Sequence, residues 1–234
     1  MLKRLVDVAI SSAALIILLP ALLAIATGIL ICDGRPVFYR GIRVGRLGKP
    51  FRTFKFRTMV VSAERLGGSA TADTDIRITR IGRALRKHKL DELPQLINVL
   101  LGEMSLVGPR PEVPEYVALF SEAEQPILTV RPGITDWATL WDSDEGALLA
   151  LTSQPERMYA DFIRPEKLKL QLEYVRSQSF CTDLLILWKT AYAIIFRPIP
   201  PSFALLNKCN SAMLKGTGTV GGSTASEGER PRTE

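Results

Sequence analysis

The chain has 234 residues, of which 47% are hydrophobic and 23% charged, so it can form one domain with a real core and is not globally disordered. Its 30 Lys and Arg residues against 24 Asp and Glu residues give a net charge of +6, which favours an anionic partner such as phosphate, nucleic acid or an acidic membrane face. Three scattered cysteines argue against a disulfide scaffold or a structural zinc site, and a single histidine excludes chemistry built on several histidines.

An uncharged, apolar stretch over residues 8–32 is long enough to cross a bilayer, which takes roughly 20 apolar residues. It is too long for the apolar part of a signal peptide and has no convincing cleavage site, so a retained membrane segment is favoured. Pro20 lies in its middle, and basic residues flank it on both sides. Proline and charge alone leave two topologies open: a helix-break-helix hairpin with both ends in the cytoplasm, or a tilted and kinked single span.

Short strands and helices are predicted after the membrane segment. Residues 51–57 alternate aromatic and polar side chains, which is typical of a half-buried strand. Residues 77–86 carry an arginine at every third position and predict a helix with a basic stripe. Residues 93–101 have the leucine and isoleucine spacing of an amphipathic helix that Gly102 can end, and residues 112–124 predict a further helix.

The C-terminal third begins with an acidic patch over residues 142–145, followed by a helix expected over about 165–175. Residues 184–196 are apolar but too short to span a bilayer, so they predict either a core helix or a helix lying in the membrane interface. The tail from Gly216 onward is rich in Gly, Ser and Thr, and this composition predicts disorder.

Asp91 and Glu92 are the strongest candidates for chemistry, because two adjacent carboxylates follow a dense run of cations. One interpretation is structural, since acidic residues stabilise the first turn of a helix. In the functional interpretation, the cations and the helix N-terminus lower both carboxylate pKa values and keep the pair ionised. Such a pair can bind Mg²⁺ together with substrate phosphates, and an ionised Asp can attack a diphosphate as a nucleophile.

Several motifs occur in a fixed order along the chain. They are PVFYR at 36–40, RVG at 43–45, KFRTM at 55–59, DIRITRIG at 75–82, LDELPQLINV at 90–99, GEMSLVGPRP at 102–111 and RPGIT at 131–135. The series closely resembles that of the bacterial sugar transferases, which are monotopic polyprenyl-phosphate phosphoglycosyl transferases. The resemblance extends from Lys3 to about Phe196.

The resemblance implies transfer of a sugar-1-phosphate from a nucleotide diphosphate sugar, usually a UDP-sugar, to undecaprenyl phosphate, with Mg²⁺ as cofactor and release of UMP. Such a step initiates an exopolysaccharide, capsule, O-antigen or related glycan. By the motif match, Asp91 is the nucleophile that forms a phosphosugar–enzyme intermediate, and Glu92 helps Asp91 to hold Mg²⁺. Four cations complete the expected substrate site. Arg86 is expected as a phosphate ligand and Arg110 near the nucleotide. Lys55 and Arg57 are also expected near the site.

The fold implied by the resemblance is an α-rich α+β monotopic membrane protein, and it favours the re-entrant hairpin at Pro20 over a single span. The expected organisation is a re-entrant membrane segment over 1–34, a compact cytoplasmic catalytic domain with short strands over 35–180, a C-terminal interfacial amphipathic helix over 181–203 and a disordered tail over 204–234. The domain is expected on the cytoplasmic face of the bacterial inner membrane. Membrane lipids are expected partners and nucleic acid is not, while a homodimer stays an open alternative.

Some positions depart from the family pattern without removing a catalytic group. Leu19 stands in place of a serine, Ile76 in place of a proline, and Lys89 in place of a serine or threonine. Asp136 replaces a glycine and, together with the acidic patch, is expected to affect the choice of sugar. Compared with the larger family members, we expect a minimal form without an added transmembrane bundle. The alternative function is a membrane-tethered basic adaptor without catalysis, which the arginine stripe favours.

Overall fold

The computed structural model of the protein describes residues 2–66, 71–141 and 145–196. Several predictions fall outside these residues: the tail over 204–234, the last part (197–203) of the predicted C-terminal helix, and both Asp142 and Asp144 of the acidic patch. The helices, strands and side-chain clusters of the fold lie within these three described ranges.

The predicted helix-rich mixture of helices and short strands is confirmed within the described residues. The helices are α1 (Leu2–Cys32), α2 (Arg80–Lys87), α3 (Gln95–Leu101), α4 (Pro114–Val117), α5 (Trp137–Trp141), α6 (Glu145–Leu149), α7 (Pro155–Met158), α8 (Arg164–Ser177) and α9 (Phe180–Phe196). The strands are β1 (Phe38–Tyr39), β2 (Ile42–Val44), β3 (Pro50–Arg52), β4 (Lys55–Phe56), β5 (Ser105–Val107) and β6 (Gly133–Thr135). Strand β1 pairs antiparallel with β4, β2 antiparallel with β3, and β5 parallel with β6.

Helix α1 contains the predicted membrane segment and is apolar and long enough, by length and composition, to cross a membrane. Its 31 residues extend about 46 Å at 1.5 Å per residue. The backbone stays helical through Pro20, so the predicted break into two helices is not found in α1. Proline removes one backbone hydrogen bond and kinks a helix. The helix can nevertheless continue through the proline when neighbouring groups pack along it. One face of α1 packs on the domain on both sides of Pro20, through Leu15 and Leu22.

The strand predicted over 51–57 is two strands in different sheets, because β3 pairs with β2 and β4 pairs with β1. The interruption has a physical cause in the intervening backbone. The N–H of Thr53 donates to the carbonyl of Gly41, and the N–H of Phe54 donates to Oδ1 of Asn98 at 2.8 Å. A side chain from α3 therefore takes the donor that would otherwise continue the strand.

Helix α2 begins at a capping threonine, since Oγ1 of Thr79 accepts the N–H of Gly82 at 2.9 Å. The same hydroxyl donates to Oδ2 of Asp33 at 2.7 Å, which ties the start of α2 to the end of α1. Arg77 lies before the helix and pairs with Asp75, so the predicted basic stripe begins only at α2.

The Asp91–Glu92 pair lies in a 3₁₀ turn over Leu90–Glu92 rather than in the first turn of α3. Lys89, with a left-handed φ of 55°, reverses the chain between α2 and this turn. Helix α3 ends at Gly102 with φ 83°, as the sequence predicts. The acidic pair is therefore not explained as the first turn of the amphipathic helix.

Strands β5 and β6 carry the loop that follows Val107. Gly108 and Gly133 allow their backbones to approach, because a Cβ on either glycine would collide with the backbone of the other. The N–H of Gly133 donates to the carbonyl of Pro109 at 2.9 Å. This hydrogen bond fixes the start of the loop over residues 109–111, the PRP loop. The helix predicted over 112–124 is only the four residues of α4.

The C-terminal part contains three helices in close succession. A π-helical turn over Tyr159–Ile163 joins α7 to α8, and α8 confirms the helix predicted over 165–175. Helix α9 buries Ile186 and Asp183 on one face, while its other face exposes large apolar side chains. The buried residues form five small clusters; one of them joins α8, α9 and β5 to α1, and another joins the far end of α1 to β4 and α2.

Candidate active site

Three separate segments bring charged side chains together around Glu92. Strand β4 supplies Lys55, whose Nζ lies 2.7 Å from Oε1 of Glu92. The loop after β5 supplies Arg110, which binds both carboxylate oxygens of Glu92: Nη1 lies 3.0 Å from Oε2, and Nη2 contacts Oε1. This fork-on-fork geometry is the strong form of an arginine–carboxylate pair. Glu92 is thus held by two cations from distant parts of the sequence.

Asp91 has a different environment although it is the next residue. Its side chain is buried, and no hydrogen bond or ion pair joins its carboxylate to another described residue. Burial raises the pKa of Asp91, and the nearby Lys55 and Arg86 charges oppose that rise. The expectation that both carboxylate pKa values are lowered is therefore wrong for Asp91, because burial outweighs the cations. Of the two carboxylates, that of Asp91 is therefore the one available to bind a ligand or to act as a nucleophile.

The pKa of Glu92 behaves as the sequence predicts. Burial alone would raise it, but the charges of Arg110 and Lys55 hold the pKa of Glu92 well below its usual range. In turn, burial lowers the pKa of Lys55 while Glu92 opposes that change, and Glu92 raises the pKa of Arg110. The site therefore contains one firmly ionised carboxylate, an arginine whose charge that carboxylate reinforces, and a lysine whose charge burial weakens.

The structure separates the remaining two predicted cations. Arg86 lies in the last turn of α2 and acts on Asp91 through charge, without a direct bond. Arg57 does not join the cluster, since its Nη2 donates to the carbonyls of Asp33 and Gly34 at 2.6 and 2.8 Å. Arg57 therefore caps the C-terminal end of α1, a favourable place for a cation, and the structure does not bring it to the acidic pair.

Asp136, which the sequence singles out as a departure from glycine, lies beside Arg110. Asp136 is fully buried; its Oδ1 accepts from Thr139, and its Oδ2 accepts the backbone N–H of Arg110 at 3.3 Å. Burial raises the pKa of Asp136. Asp136 thus supports the PRP loop, a role that the departure from glycine at this position could have suggested.

Glu145 is the described member of the acidic patch, and it forms an ion pair with the buried Lys167. Burial opposes its ionisation, yet Lys167 lowers the pKa of Glu145, with smaller contributions from Arg110 and Lys89. Arg43 also acts on Lys55 through charge. The sequence places Glu145 in the acidic patch and Arg43 in the RVG motif, but it does not indicate that either residue lies near the acidic pair.

Mg²⁺ is compatible with this donor set. Among the described residues, no group of three or more His, Cys, Asp or Glu side chains is arranged to hold a metal ion. Asp91 and Glu92 supply two carboxylates with hard oxygen ligands, and Mg²⁺ is commonly bound by one or two carboxylates plus substrate phosphates. Because both oxygens of Glu92 already contact cations, Asp91 is the more open of the two ligands.

Comparison with known proteins places this geometry in a family. The family model described as bacterial sugar transferase matches residues 1–197. The UDP-glucose:undecaprenyl-phosphate glucose-1-phosphate transferase of Klebsiella pneumoniae is 36% identical over 195 residues, which cover 81% of this chain and 39% of that protein. The UDP-N-acetylgalactosamine-undecaprenyl-phosphate N-acetylgalactosaminephosphotransferase of Aeromonas hydrophila is 35% identical over 83% of this chain and 44% of its own length.

A third relative has a similar length. The exopolysaccharide production protein ExoY of Sinorhizobium fredii is 34% identical over 207 residues, which cover 82% of this chain and 84% of that protein. By contrast, the chain spans about two fifths of the length of the two transferases above. The motif series, the acidic pair with its cations and the match over most of the chain agree: this protein belongs to the bacterial sugar transferase family.

Proposed function

We propose that this protein transfers a sugar-1-phosphate from a UDP-sugar to undecaprenyl phosphate and so initiates an exopolysaccharide or related glycan. The observation that carries the proposal is the contrast between two adjacent carboxylates: Glu92 is neutralised by Lys55 and Arg110, while Asp91 has no partner among the described residues. The names of the relatives, which act on UDP-sugars and undecaprenyl phosphate, supply the substrate class.

The reaction proceeds in two displacements at one phosphorus. A carboxylate oxygen of Asp91 attacks the sugar-bearing phosphorus of the UDP-sugar, and the bond from that phosphorus to the bridging oxygen breaks, so UMP leaves with the bond electrons. A phosphate oxygen of undecaprenyl phosphate then attacks the same phosphorus. The acyl phosphate bond breaks, and the Asp91 carboxylate is regenerated.

The cations stabilise the charge that develops during both displacements. Arg110 and Lys55 are held in place by Glu92 before substrate binds, so little reorganisation is needed when a diphosphate enters. Arg86 adds positive charge on the α2 side of Asp91. Asp91 and Glu92 would hold Mg²⁺, which when bound neutralises charge on the diphosphate.

We infer that α1 enters and leaves the membrane on one face. Both ends of α1 contact the same domain, which supports this topology: Lys3 pairs with Asp183 at 2.6 Å near one end, and Ile29 packs with Phe56 and Leu85 at the other. In a single span, one of these ends would lie across the bilayer from the domain. Basic residues flank the apolar stretch of α1 on both sides, so by the positive-inside rule the domain lies on the cytoplasmic face of the bacterial inner membrane.

We also propose that α9 lies in the membrane interface. Its buried face packs against β5 and α8 through Ile186, and its exposed face carries three stacked aromatic side chains. The ring centroids of Trp188 and Tyr192 are 5.9 Å apart, and those of Tyr192 and Phe196 are 4.7 Å apart. Aromatic side chains of this kind are favoured at headgroup depth, where an apolar ring meets a polar environment.

The function is tested by trapping the covalent intermediate. The purified, membrane-reconstituted protein is incubated with Mg²⁺ and sugar-labelled UDP-glucose or UDP-N-acetylgalactosamine, without undecaprenyl phosphate. We expect label on the wild-type protein together with release of UMP, and no label on Asp91→Asn, which keeps the shape but not the nucleophile. Asp161→Asn, at an exposed carboxylate outside the cluster, serves as the matched control and is expected to label like the wild type.

Two results would contradict the proposal. Equal labelling of wild type and Asp91→Asn would exclude Asp91 as the nucleophile. If a panel of UDP-sugars gave no UMP even with undecaprenyl phosphate and Mg²⁺ present, the chain would instead be the membrane-tethered basic adaptor without catalysis.

A further inference from the structure

A group of exposed apolar side chains lies beside the C-terminal end of α1, outside the active site. They belong to two segments joined by an antiparallel bridge between Met59 and Ile78. The N–H of Val60 donates to the carbonyl of Arg77 at 2.9 Å, which extends the bridge by one residue. Val61 and Ile76 lie in the turns that directly follow and precede these paired residues, so both are next to the bridge.

The exposure of this group is unusual for its residue types. Ile76 is 96% exposed and Val61 is 62% exposed, and Leu66, which follows on the same segment, is 69% exposed. Single exposed apolar residues are common on protein surfaces, but several on adjoining segments mark an interaction site. Ile76 also replaces the proline of the family pattern, so its exposure is a property of this chain.

A buried arginine joins the two segments that carry the exposed apolar group. The guanidinium of Arg77 binds the carboxylate of Asp75 and donates through Nη1 to the carbonyl of Ala63 at 3.1 Å. Arg77 therefore ties the 75–78 turn to the 60–66 segment. The exposed side chains are presented by a fixed surface rather than by loose loops.

The position of the group relative to α1 indicates what covers it. Thr79 donates to Asp33 at 2.7 Å, directly after the apolar helix ends at Cys32. Ile76 is three residues from Thr79, a distance of at most about 10 Å even in an extended chain. An interfacial segment buries its apolar groups about 5–10 Å into the headgroup region. The group therefore lies within reach of the plane in which α1 meets the headgroups.

The charge around the exposed apolar group also favours a lipid surface as its partner. Arg65 is exposed on the first segment, and Arg35 after α1 and Arg80 at the start of α2 are exposed in adjoining parts of the chain. The carboxylate of Asp75 is already paired with Arg77, and Asp73 is an exposed carboxylate nearby. Exposed apolar side chains flanked by arginines are typical of a surface that binds anionic lipid headgroups.

We propose that Val60, Val61, Leu66 and Ile76 form a second membrane contact, which inserts into the headgroup region of an anionic bilayer beside α1. This contact rests on the proposed membrane position of α1, and it adds a surface of the domain to the part of the protein that touches the membrane. With its C-terminal end held between two lipid contacts, α1 is fixed in depth, and so are the residues that Asp33 and Thr79 tie to it.

The test measures depth with an environment-sensitive fluorophore on single cysteines. The full chain, with its three native cysteines changed to serine, is reconstituted in vesicles of phosphatidylethanolamine and phosphatidylglycerol. One variant carries Ile76→Cys and another Leu119→Cys, a position 65% exposed beside Phe120 of the cluster on α8. A third carries Ile17→Cys on the exposed face of α1.

We expect blue-shifted emission at residue 76, with stronger quenching by a headgroup nitroxide lipid than by a deep acyl-chain nitroxide lipid. The reverse order is expected at residue 17, and water-like, unquenched emission at residue 119. Unquenched emission at residue 76 with a quenched residue 17 would overturn the second contact alone. Equal quenching at 76 and 119 would also overturn it, by showing adsorption of the whole domain. An unquenched residue 17 would overturn the membrane position of α1 and the second contact with it.

Discussion

Glu92 holds Arg110 and Lys55 close together beside Asp91, where the proposed mechanism places the diphosphate. A free guanidinium and a free ammonium group would each have to be ordered when substrate binds, at a cost in side-chain entropy. Here Glu92 already orders both side chains through direct contacts. In the proposed mechanism, Glu92 thus positions the positive charge that stabilises attack by Asp91.

The two-point contact of Arg110 with Glu92 makes arginine the required cation at this position. Lysine offers one compact charge and cannot engage both carboxylate oxygens in a fork. We therefore expect Arg110→Lys to lower kcat/KM about 100-fold, as loss of a preorganised donor does elsewhere. UMP release under steady-state conditions measures the effect. Arg46→Lys, at an exposed arginine with a single bond to the carbonyl of Thr129, should keep wild-type activity; an equal loss in both variants would refute the argument.

The membership of the site was predictable from motifs, but its electrostatics were not. Lys55, Arg110 and the acidic pair come from three segments that only the family resemblance groups together. The raised pKa of Asp91 depends on burial, which no charge pattern in the sequence reveals. Arg57 was misassigned for a related reason: its motif places it two residues from Lys55, while the fold directs it to the end of α1.

The contact between α2 and the strand segment after β4 depends on one glycine. An Ala in place of a helical Gly normally stabilises a helix by about 1 kcal/mol. At Gly82 the added Cβ would collide with the backbone of Thr58, so we expect Gly82→Ala to reduce the free energy of unfolding by about 1–3 kcal/mol. Thermal unfolding in detergent measures the change.

Gly28→Ala is the matched control for this prediction. Its Cβ would lie 3.6 Å from Cδ1 of Ile81, an ordinary contact, so the helix-forming preference of alanine should prevail. We expect an unchanged or raised unfolding temperature for Gly28→Ala. A stable Gly82→Ala variant would mean that α2 can move away from Thr58.

Periodic patterns predicted the longer elements well, because one face of each packs on the domain. The leucine spacing gave α3 with its end at Gly102, and α8 also lies where expected. The strand over 51–57 was wrong because the Asn98 side chain, 44 residues from Phe54, takes a backbone donor. At Pro20 the helix does not break into two, because tertiary packing on both sides of the proline supports a continuous helix; the re-entrant topology itself stays a proposal.

At the scale of the whole molecule, the position of the two ends of α1 decides the topology. Cys32 is an exposed native cysteine at one end, and Leu2 is exposed at the other. With Cys181 and Cys209 changed to serine, one variant keeps Cys32 alone and another carries Leu2→Cys with Cys32→Ser. A membrane-impermeant maleimide should label neither variant in intact spheroplasts and both after lysis. Labelling of residue 2 in intact spheroplasts would instead establish a single span.

The ion pair between Lys3 and Asp183 also has a consequence for how the chain is made. The two residues are 180 positions apart, so at about 5–20 residues per second the ribosome needs roughly 9–36 s to pass from one to the other. Throughout that interval the lysine at the start of α1 has emerged without its carboxylate partner. The contact of α1 with α9 through this ion pair can therefore form only after Asp183 has been synthesised, and a message that ends before residue 183 yields a chain in which the pair cannot form.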